Sequence, residues 1–235
     1  MKLIISHIKK KYGKKEVLRD ASYTFENGKI YGLLGRNGAG KTTLFNCMNE
    51  DVKVDFGTFS IEEGGSSRPS NPEDIGYVFS TPVVPEFLTG REFLKFFLDI
   101  NTEKIKDLKT IDKYFDMVRI DIKDRDKLLK DYSHGMKNKM QLLINFIAKP
   151  GIMLLDEPLT SFDVVVADEM KQLLRQIKRD HIIIFSTHIM ELALDLCDEI
   201  VILNEGYLEK IDKQNLDNIR FKEKIIAALR GDGND

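Results

Sequence analysis

The beginning of the chain alternates apolar and polar residues with a period of two. Apolar side chains stand at Leu3 and Ile5 and again around Tyr23, and the pairs Tyr-Gly and Asn-Gly at residues 12–13 and 27–28 are turn signals. Alternation between turns is typical of half-buried strands joined by tight connections. The pattern therefore predicts antiparallel strands at the start of the fold.

Further along, helical and strand patterns follow each other. A helix is predicted over residues 42–49 and a strand over residues 56–61, followed by the polar sequence GGSSRPSNPED at residues 64–74. Because Gly, Ser, Asn and Pro favour turns, this polar segment is expected to be an irregular connection. Residues 75–79 resume the sheet.

The middle of the chain has helical spacing. Thr89 and Glu92 form a capping-box pattern before the sequence REFLKFFL. The charge-rich stretch 102–131 carries apolar residues at the spacing of a helix face, namely Ile111, Tyr114, Phe115 and Val118. We therefore expect a helical insert between two parts of the sheet.

Three short apolar runs follow the insert, at residues 152–155, 182–185 and 199–203. They are separated by helical patterns, which is typical of a parallel sheet buried on both faces. The core is therefore predicted to be a three-layer α/β domain. The tail has apolar residues at helical spacing, which predicts a packing helix or a dimer contact: Phe221, Ile225, Ile226 and Leu229.

Composition narrows the possible functions. The chain has 235 residues and a formal charge of −2 from 36 basic and 38 acidic side chains, mixed along the sequence, so nothing indicates a nucleic-acid partner. Cys47 and Cys197 are expected to fill apolar space rather than form a disulfide or metal site. The N-terminus has no apolar signal core, and no run approaches the roughly 18 residues of a membrane span. We expect a cytosolic chain.

The most informative motif is GRNGAGKT at residues 35–42, which fills the phosphate-loop pattern G-x-x-x-x-G-K-[ST]. Gly35, Gly38 and Gly40 are expected to adopt positive φ, so that backbone N–H groups turn inward as an anion nest. Lys41 would add a charge near the β and γ phosphates, and Thr42 a hydroxyl for magnesium. The motif predicts a nucleoside triphosphate site.

Two acidic residues and a histidine are candidates for the same site. The run IMLLDEP ends a predicted strand in Asp156, which suits magnesium, and Glu157, which suits a water molecule. His188 follows a later strand at the same predicted sheet edge, where it could contact the γ phosphate or the attacking water. The alternative is a solvated strand end and an unrelated histidine.

The sequence YSHGM at residues 132–136 precedes a helical pattern. Ser133 and the free amides at that helix start could form a second anion site. The alternative is an ordinary helix N-cap.

GRNGAGKT, YSHGM, LLDEP, TSFD and the isolated His188, in this order and spacing, resemble the nucleotide-binding subunit of ABC transporters over almost the whole chain. The resemblance implies a P-loop NTPase three-layer core with an N-terminal antiparallel β subdomain and an inserted helical subdomain. It implies one ABC ATPase domain over residues 1–235, with the β subdomain and core at 1–80 and 149–212, the helical subdomain at 81–148 and a helical tail at 213–235.

The resemblance also implies residue roles and the cofactors ATP and Mg²⁺. Nucleotide contacts are expected from an adenine-stacking aromatic, the Walker A loop, the signature and the D-loop: Tyr12, Gly35, Asn37, Gly38, Ala39, Gly40, Lys41, Thr42, Thr43, Ser133, Gly135 and Asp163. Catalytic roles are implied for Glu157 as general base, His188 and Lys41, and metal contacts for Thr42 and Asp156. Tyr12 alone would be interpreted as a turn or core tyrosine.

In this family two subunits face head to tail, and the signature of one contacts the γ phosphate bound by the other. The implied partners are a second ATPase subunit, identical or closely related, and transmembrane permease subunits on separate chains. The implied location is the cytoplasmic face of the membrane.

Two departures from the family pattern bear on function. Ser80 stands where the family usually has a glutamine that touches magnesium and water, so a water bridges the shorter side chain to the metal or coupling runs differently. His134 and Met136 replace the commoner signature residues, and YSHGM with Lys137 resembles the drug and peptide exporter branch. Neutral drift is the alternative for these changes. We expect export of a drug-like molecule, peptide or lipid; a soluble ATP-dependent switch or assembly scaffold with low turnover is the alternative function.

Overall fold

The computed structural model of this chain describes residues 1–103, 105, 108–160 and 162–211. The helix expected at residues 213–235 lies outside the described residues, as does the serine of the TSFD motif. Among the described helices, none combines the length and apolar character needed to cross a lipid bilayer.

Strands and helices alternate after an all-β beginning. The strands are β1 Lys2–Tyr12, β2 Lys15–Glu26, β3 Lys29–Leu34, β4 Phe56–Glu63, β5 Ser66–Pro69, β6 Ile75–Val78, β7 Ile152–Asp156, β8 Ile182–Thr187, β9 Glu199–Asn204 and β10 Tyr207–Ile211. The helices are α1 Lys41–Met48, α2 Gly90–Ile100, α3 Ile111–Met117, α4 Ile122–Arg125, α5 His134–Ala148, α6 Val164–Ile177 and α7 Met190–Leu196.

The first sheet is antiparallel, with the strand order β2-β1-β4-β5. The alternation at the chain start sets its register, since Leu3 pairs with Phe25 on β2 and with Ile61 on β4. The connection expected at residues 64–74 is not wholly irregular, because β5 pairs with β4 inside it. This strand was missed because Pro69 argues against a strand, yet proline is tolerated at a sheet edge, where its missing N–H faces no partner.

The second sheet has the order β10-β9-β3-β8-β7-β6 and is parallel except for β10. The central strands β3, β7, β8 and β9 are buried on both faces, as their apolar runs predict, whereas the edge strand β10 is largely exposed. In β7, for example, Met153 and Leu155 face one core, and Ile152 and Leu154 face the other. One core lies between this sheet and the antiparallel sheet with α1, and the other lies against α5, α6, α7 and the insert. The result is the predicted three-layer α/β architecture.

A capping box opens the helical insert, and contacts around Phe115 hold its helices together. The Thr89 side chain accepts from the Glu92 N–H and the Glu92 carboxylate accepts from the Thr89 N–H, so the predicted capping box opens α2. Two guanidinium groups lie near the ring of Phe115, with Arg91 at 5.9 Å and Arg125 at 5.3 Å from its centroid. Arg125, only 5% exposed, also donates to the Ile120 carbonyl at 3.0 Å. These contacts hold α2, α3 and α4 together as one unit.

Both cysteines are buried and neither forms a disulfide, which agrees with the expectation that they fill apolar space. Burial raises the pKa of the Cys47 thiol to about 11. The thiol is therefore protonated at neutral pH and packs as a small apolar group.

A pair of buried tyrosines gives a test of the packing. Tyr132 is 4% exposed, burial raises its pKa to about 12, and its hydroxyl has no hydrogen-bond partner among the described residues. The hydroxyl of Tyr31, which is 1% exposed, accepts from the Glu26 N–H at 2.7 Å. Because an unpaired buried hydroxyl costs free energy, we expect Tyr132→Phe to leave the free energy of unfolding unchanged or raise it by up to about 1 kcal/mol.

Tyr31→Phe is the matched control and is expected to lose about 1–3 kcal/mol, because it leaves the Glu26 N–H without its acceptor. Urea unfolding midpoints of the two variants measure the difference. Equal losses would contradict the assignment of Tyr132 as unpaired.

Candidate functional site

The phosphate loop lies between β3 and α1, at the carboxyl edge of the parallel sheet. Gly38 and Gly40 have φ of 79° and 106°, the left-handed conformation that glycine permits. Gly35 does not share it, contrary to the expectation for all three glycines. A Cβ at Gly35 would stand 2.9 Å from the Leu203 carbonyl oxygen, so glycine is needed there for close packing of the loop against β9.

The ammonium group of Lys41 is hydrogen-bonded to the backbone of the phosphate loop. It donates to the carbonyls of Gly35 at 2.8 Å and Arg36 at 3.2 Å, and it lies 3.8 Å from Oε1 of Glu157. Burial lowers the pKa of Lys41, while the charges of Glu157 and Asp156 act in the opposite direction. Among the described residues, the polar contacts of the ammonium are these two carbonyls and one carboxylate, and a buried cation with such partners attracts phosphate oxygens.

Asp156 ends β7 and is only 2% exposed. Its Oδ2 accepts from the Thr42 hydroxyl at 2.7 Å and its Oδ1 from the Ser186 hydroxyl at 2.5 Å. Both carboxylate oxygens are therefore hydrogen-bonded, one to the first turn of α1 and one to β8. This geometry places Thr42 and Asp156 together, as the sequence predicted for a magnesium site.

Glu157 is the next residue, and its backbone has a φ of 48°, which is uncommon for a residue with a side chain. Its N–H donates to the Ser186 hydroxyl at 3.0 Å, and its carbonyl accepts from the Thr160 hydroxyl at 2.8 Å. Its Oε1 lies 3.0 Å from Nδ1 of His188. The structure thus brings Glu157 and His188 into direct contact, which the sequence did not predict.

These elements border a cleft of about 460 Å³. Tyr12 and Ser80 stand on its rim, and the cleft is lined by Tyr12, Lys15, Val17, Asn37, Gly38, Gly40, Lys41, Thr42, Thr43, Ser80, Asp156 and Glu157. Tyr12 is 50% exposed, with the ammonium of Lys10 5.3 Å from its ring centroid, so it is not a core tyrosine. The cleft brings most of the predicted nucleotide contacts of one chain to one place.

The remaining predicted nucleotide contacts do not line this cleft: Gly35 and Ala39, which belong to the phosphate loop itself, and Ser133, Gly135 and Asp163, which lie in other parts of the chain. Ser133 is exposed and caps α5 by accepting from the Met136 N–H at 3.2 Å, and Asp163 caps α6 by accepting from the N–H groups of Val165 and Val166. Each has the geometry of an ordinary N-cap, and their role toward nucleotide stays a prediction.

The donor atoms in the cleft suit Mg²⁺. Thr42 and Asp156 offer hydroxyl and carboxylate oxygens, and Mg²⁺ is commonly held by one or two such ligands together with phosphate oxygens and water. Within the described part of the chain, no group of three or more His, Cys, Asp or Glu residues could hold a metal by itself. Thr42 and Asp156 could hold Mg²⁺ together with oxygens from a nucleotide and water.

Sequence reasoning missed three residues of this region. Lys15 and Val17 line the cleft from β2, and a Cβ at Gly40 would stand 2.7 Å from Cγ1 of Val17. Ser186 hydrogen-bonds Asp156 and Glu157 from β8. The sequence signal for Ser186 was a hydroxyl residue near the end of the apolar run IIIFST. That run ends at the same sheet edge as the other polar residues of the site.

Comparison with known proteins identifies the family. The family model described as ABC transporter matches residues 18–160, more than half of the chain. An uncharacterised ABC transporter ATP-binding protein of Methanocaldococcus jannaschii is 32% identical over 87% of this chain and 75% of its own length. Bacitracin transport ATP-binding protein BcrA of Enterococcus faecalis is 27% identical over 93% of this chain and 70% of its own length.

Other similarities are partial or concern the fold alone. ATP-binding cassette sub-family A member 6 of Homo sapiens is 33% identical over 87% of this chain, but the matched part is only 13% of that protein. A solved ATP-binding subunit of an ABC transporter superposes with a TM-score of 0.81 at 22% identity, over 98% of this chain and all of that one. A dimeric ATP-binding cassette bound to ADP and Pi superposes with a TM-score of 0.72 at 19% identity, over 89% of this chain and 99% of that one.

The family match explains the order of motifs around the cleft, since nucleotide binding with Mg²⁺ is the shared property of these ATPases. This chain belongs to the ABC transporter family and is one of its ATP-binding, ATP-hydrolysing subunits.

Proposed function

We propose that the chain hydrolyses ATP at a head-to-tail dimer interface and thereby powers transport through separate membrane subunits, at the cytoplasmic face of the membrane. The observation that carries this proposal is the composition of the cleft. It gathers Lys41, Thr42, Asp156 and Glu157, while Ser133 and Asp163 are exposed outside it. One chain therefore offers half of a composite site and, at another surface, the half that a second chain requires.

Within the cleft each residue has a distinct role. The Lys41 ammonium neutralises phosphate charge, and Thr42 and Asp156 hold Mg²⁺, which supplies charge neutralisation at the phosphates. Glu157 acts as general base toward a water molecule. His188, 3.0 Å from Oε1 of Glu157, fixes the direction of that carboxylate.

The surface next to Asp163 supports a second subunit. Val164 is 86% exposed and Val165 is 66% exposed at the start of α6, directly after the predicted D-loop residue. Exposed apolar side chains beside a polar contact residue are typical of interface cores. A second copy or a close relative would cover them while its own Ser133 and Gly135 approach the phosphates.

The segment after Ser80 supports a membrane partner. Val83 and Phe87 are 68% and 79% exposed, and on α2 Phe96 and Ile100 are 56% and 62% exposed. Four large apolar side chains left in water suit docking of a permease segment. Transmembrane permease subunits on separate chains are therefore the proposed partners.

Export is the proposed direction. YSHGM followed by Lys137 resembles the exporter branch, and the related BcrA carries the name of a bacitracin transport protein. The proposed cargo class is a drug-like molecule, peptide or lipid.

One observation favours a second function, an ATP-dependent switch or assembly scaffold with low turnover. Ser80 is exposed on the rim of the cleft and is shorter than the glutamine usual in the family, so it reaches less far toward magnesium and water. Slow hydrolysis would then make ATP a binding signal. The first experiment below separates the two functions.

We expect Glu157→Gln to retain ATP binding and to lower turnover by roughly 10²–10⁴, the usual contribution of a general base. Magnesium-dependent ATP hydrolysis across a protein concentration series measures it, together with sedimentation to detect a trapped dimer. Specific activity that rises with concentration supports the dimeric ATPase. Flat, near-zero activity with tight ATP binding supports the switch, and unchanged turnover in the variant contradicts the role of Glu157.

At alkaline pH, we expect Lys41 to gain a proton from the solvent when ATP binds. Its lowered pKa leaves a neutral fraction in the free protein as pH rises toward the lysine's ordinary value, and bound phosphate favours the charged ammonium. Uptake should grow with pH toward about one proton per ATP. Calorimetric titrations in buffers of different ionisation heat measure this uptake.

Lys41→Arg should abolish the proton uptake, because arginine stays protonated throughout this pH range. Lys15→Arg, a change on the rim of the same cleft, should leave it in place. Uptake that persists in Lys41→Arg would contradict the assignment to Lys41.

Phe87→Ser should weaken membrane association without reducing basal ATP hydrolysis, because the side chain lies in water outside the cleft. Phe56→Ser is the matched control, since Phe56 is 61% exposed on the antiparallel sheet. Fractionation of cells that express each variant with the permease gene measures association. Equal membrane binding of both variants and the wild type would contradict docking at Phe87.

A further inference from the structure

Ser186 joins the two acidic residues of the cleft through one oxygen atom. Its hydroxyl donates to Oδ1 of Asp156 at 2.5 Å and accepts from the N–H of Glu157 at 3.0 Å. We propose that Ser186 is a positioning residue for ATP hydrolysis, which fixes Asp156 toward the metal and Glu157 toward the attacking water. This inference rests on the roles proposed above for Asp156 and Glu157.

The direction of the two hydrogen bonds follows from the groups involved. A buried ionised carboxylate can only accept, so the single hydroxyl proton of Ser186 goes to Asp156. The lone pairs of the same oxygen are then left to accept from the backbone N–H of Glu157. Ser186 therefore donates one hydrogen bond and accepts another at the same oxygen, which neither alanine nor valine can do.

The first bond determines how Asp156 presents itself to the metal. With Oδ1 held by Ser186, Oδ2 is the oxygen directed to the Thr42 hydroxyl at 2.7 Å. Partners of this kind orient metal ligands, and their loss typically costs 10- to 100-fold in metal affinity or activity.

The second bond determines the backbone of Glu157. The φ of 48° at this residue is a conformation that persists only where the surroundings enforce it. The N–H to Ser186 and the carbonyl to the Thr160 hydroxyl hold the peptide on both sides of that residue. The side chain then points to His188, which it contacts at 3.0 Å.

Solvent cannot replace the hydroxyl. Ser186 has 0% exposure, and removing one oxygen leaves less space than a water molecule needs. In Ser186→Ala, the Asp156 carboxylate would lose one of its two hydrogen-bond donors. The N–H of Glu157 would lose its hydrogen-bond acceptor. We expect both acidic residues to lose their fixed orientation while the phosphate loop, and hence ATP binding, stays intact.

The test compares Ser186→Ala and Ser186→Thr with Ser70→Ala. Ser70 directly follows β5, the edge strand of the antiparallel sheet, is 8% exposed and does not line the cleft. Its replacement therefore controls for the loss of a buried serine hydroxyl. Two quantities are measured: the exchange rate of the Glu157 amide in nucleotide-free protein, and kcat with KM for ATP. Amide exchange depends on the hydrogen bond itself and needs no turnover.

For Ser186→Ala we expect amide exchange at Glu157 at least about tenfold faster and kcat about 10- to 100-fold lower, with KM for ATP nearly unchanged. Ser186→Thr, which keeps the hydroxyl, should restore both quantities, and Ser70→Ala should change neither. This pattern supports positioning.

The inference would be overturned if Ser186→Ala and Ser70→Ala had the same exchange rate at the Glu157 amide and the same kcat. Equal loss of kcat in the alanine and threonine variants with a protected Glu157 amide would attribute the effect to packing and also overturn it. Failure of the proposed function is a separate result, because it would appear as wild-type turnover in Glu157→Gln.

Discussion

The burial of the Asp156 carboxylate is the constraint on which the site depends. A buried charge is tolerated only where its oxygens are hydrogen-bonded, and here the two donors come from distant parts of the chain. Thr42 lies 114 residues before Asp156 and Ser186 lies 30 residues after it. The carboxylate therefore ties the first turn of α1, the end of β7 and the end of β8 to one point. Lys41 and Glu157 are neighbours of these residues in sequence, and so they arrive at the same cleft.

The sheet supplies the register that this arrangement requires. Asp156 pairs with Ser186 in the parallel ladder of β7 and β8, so the two side chains stand side by side on the same face. A slip of one residue would exchange the faces of every side chain in the strand. Leu154 and Leu155 fill apolar cores on opposite faces of β7, so a slip would leave both faces apolar but would turn the Asp156 carboxylate away from Ser186. The pairing of β7 with β8 thus sets the position of a polar contact at the edge.

Much of the fold follows from the sequence because its strands and helices carry clear periods. The strands at Leu3 and around Tyr23, the capping box at Thr89 and the buried parallel runs are all present. β5 was not foreseen, because a short edge strand with Pro69 has little apolar signal. The residue contacts of the site were only partly accessible. GRNGAGKT and LLDEP mark their own residues, whereas the hydrogen bonds of Ser186 depend on strand order and register, which local patterns do not encode.

The replacement of glutamine by Ser80 does not disconnect the cleft from the surface, because the segment around it is anchored to α5 at two points. Gln141 of α5 donates to the Phe79 carbonyl at 3.4 Å, and Lys137 of α5 pairs with Glu86 at 2.7 Å. Between these anchors the chain carries Ser80 on the rim of the cleft and the exposed Val83. The N-cap of the same helix is Ser133, the predicted contact to the γ phosphate of a second subunit. On the proposed dimer closure, a displacement of α5 would move this segment from both ends, so that the proposed coupling to a membrane partner would not depend on the side chain at position 80 alone.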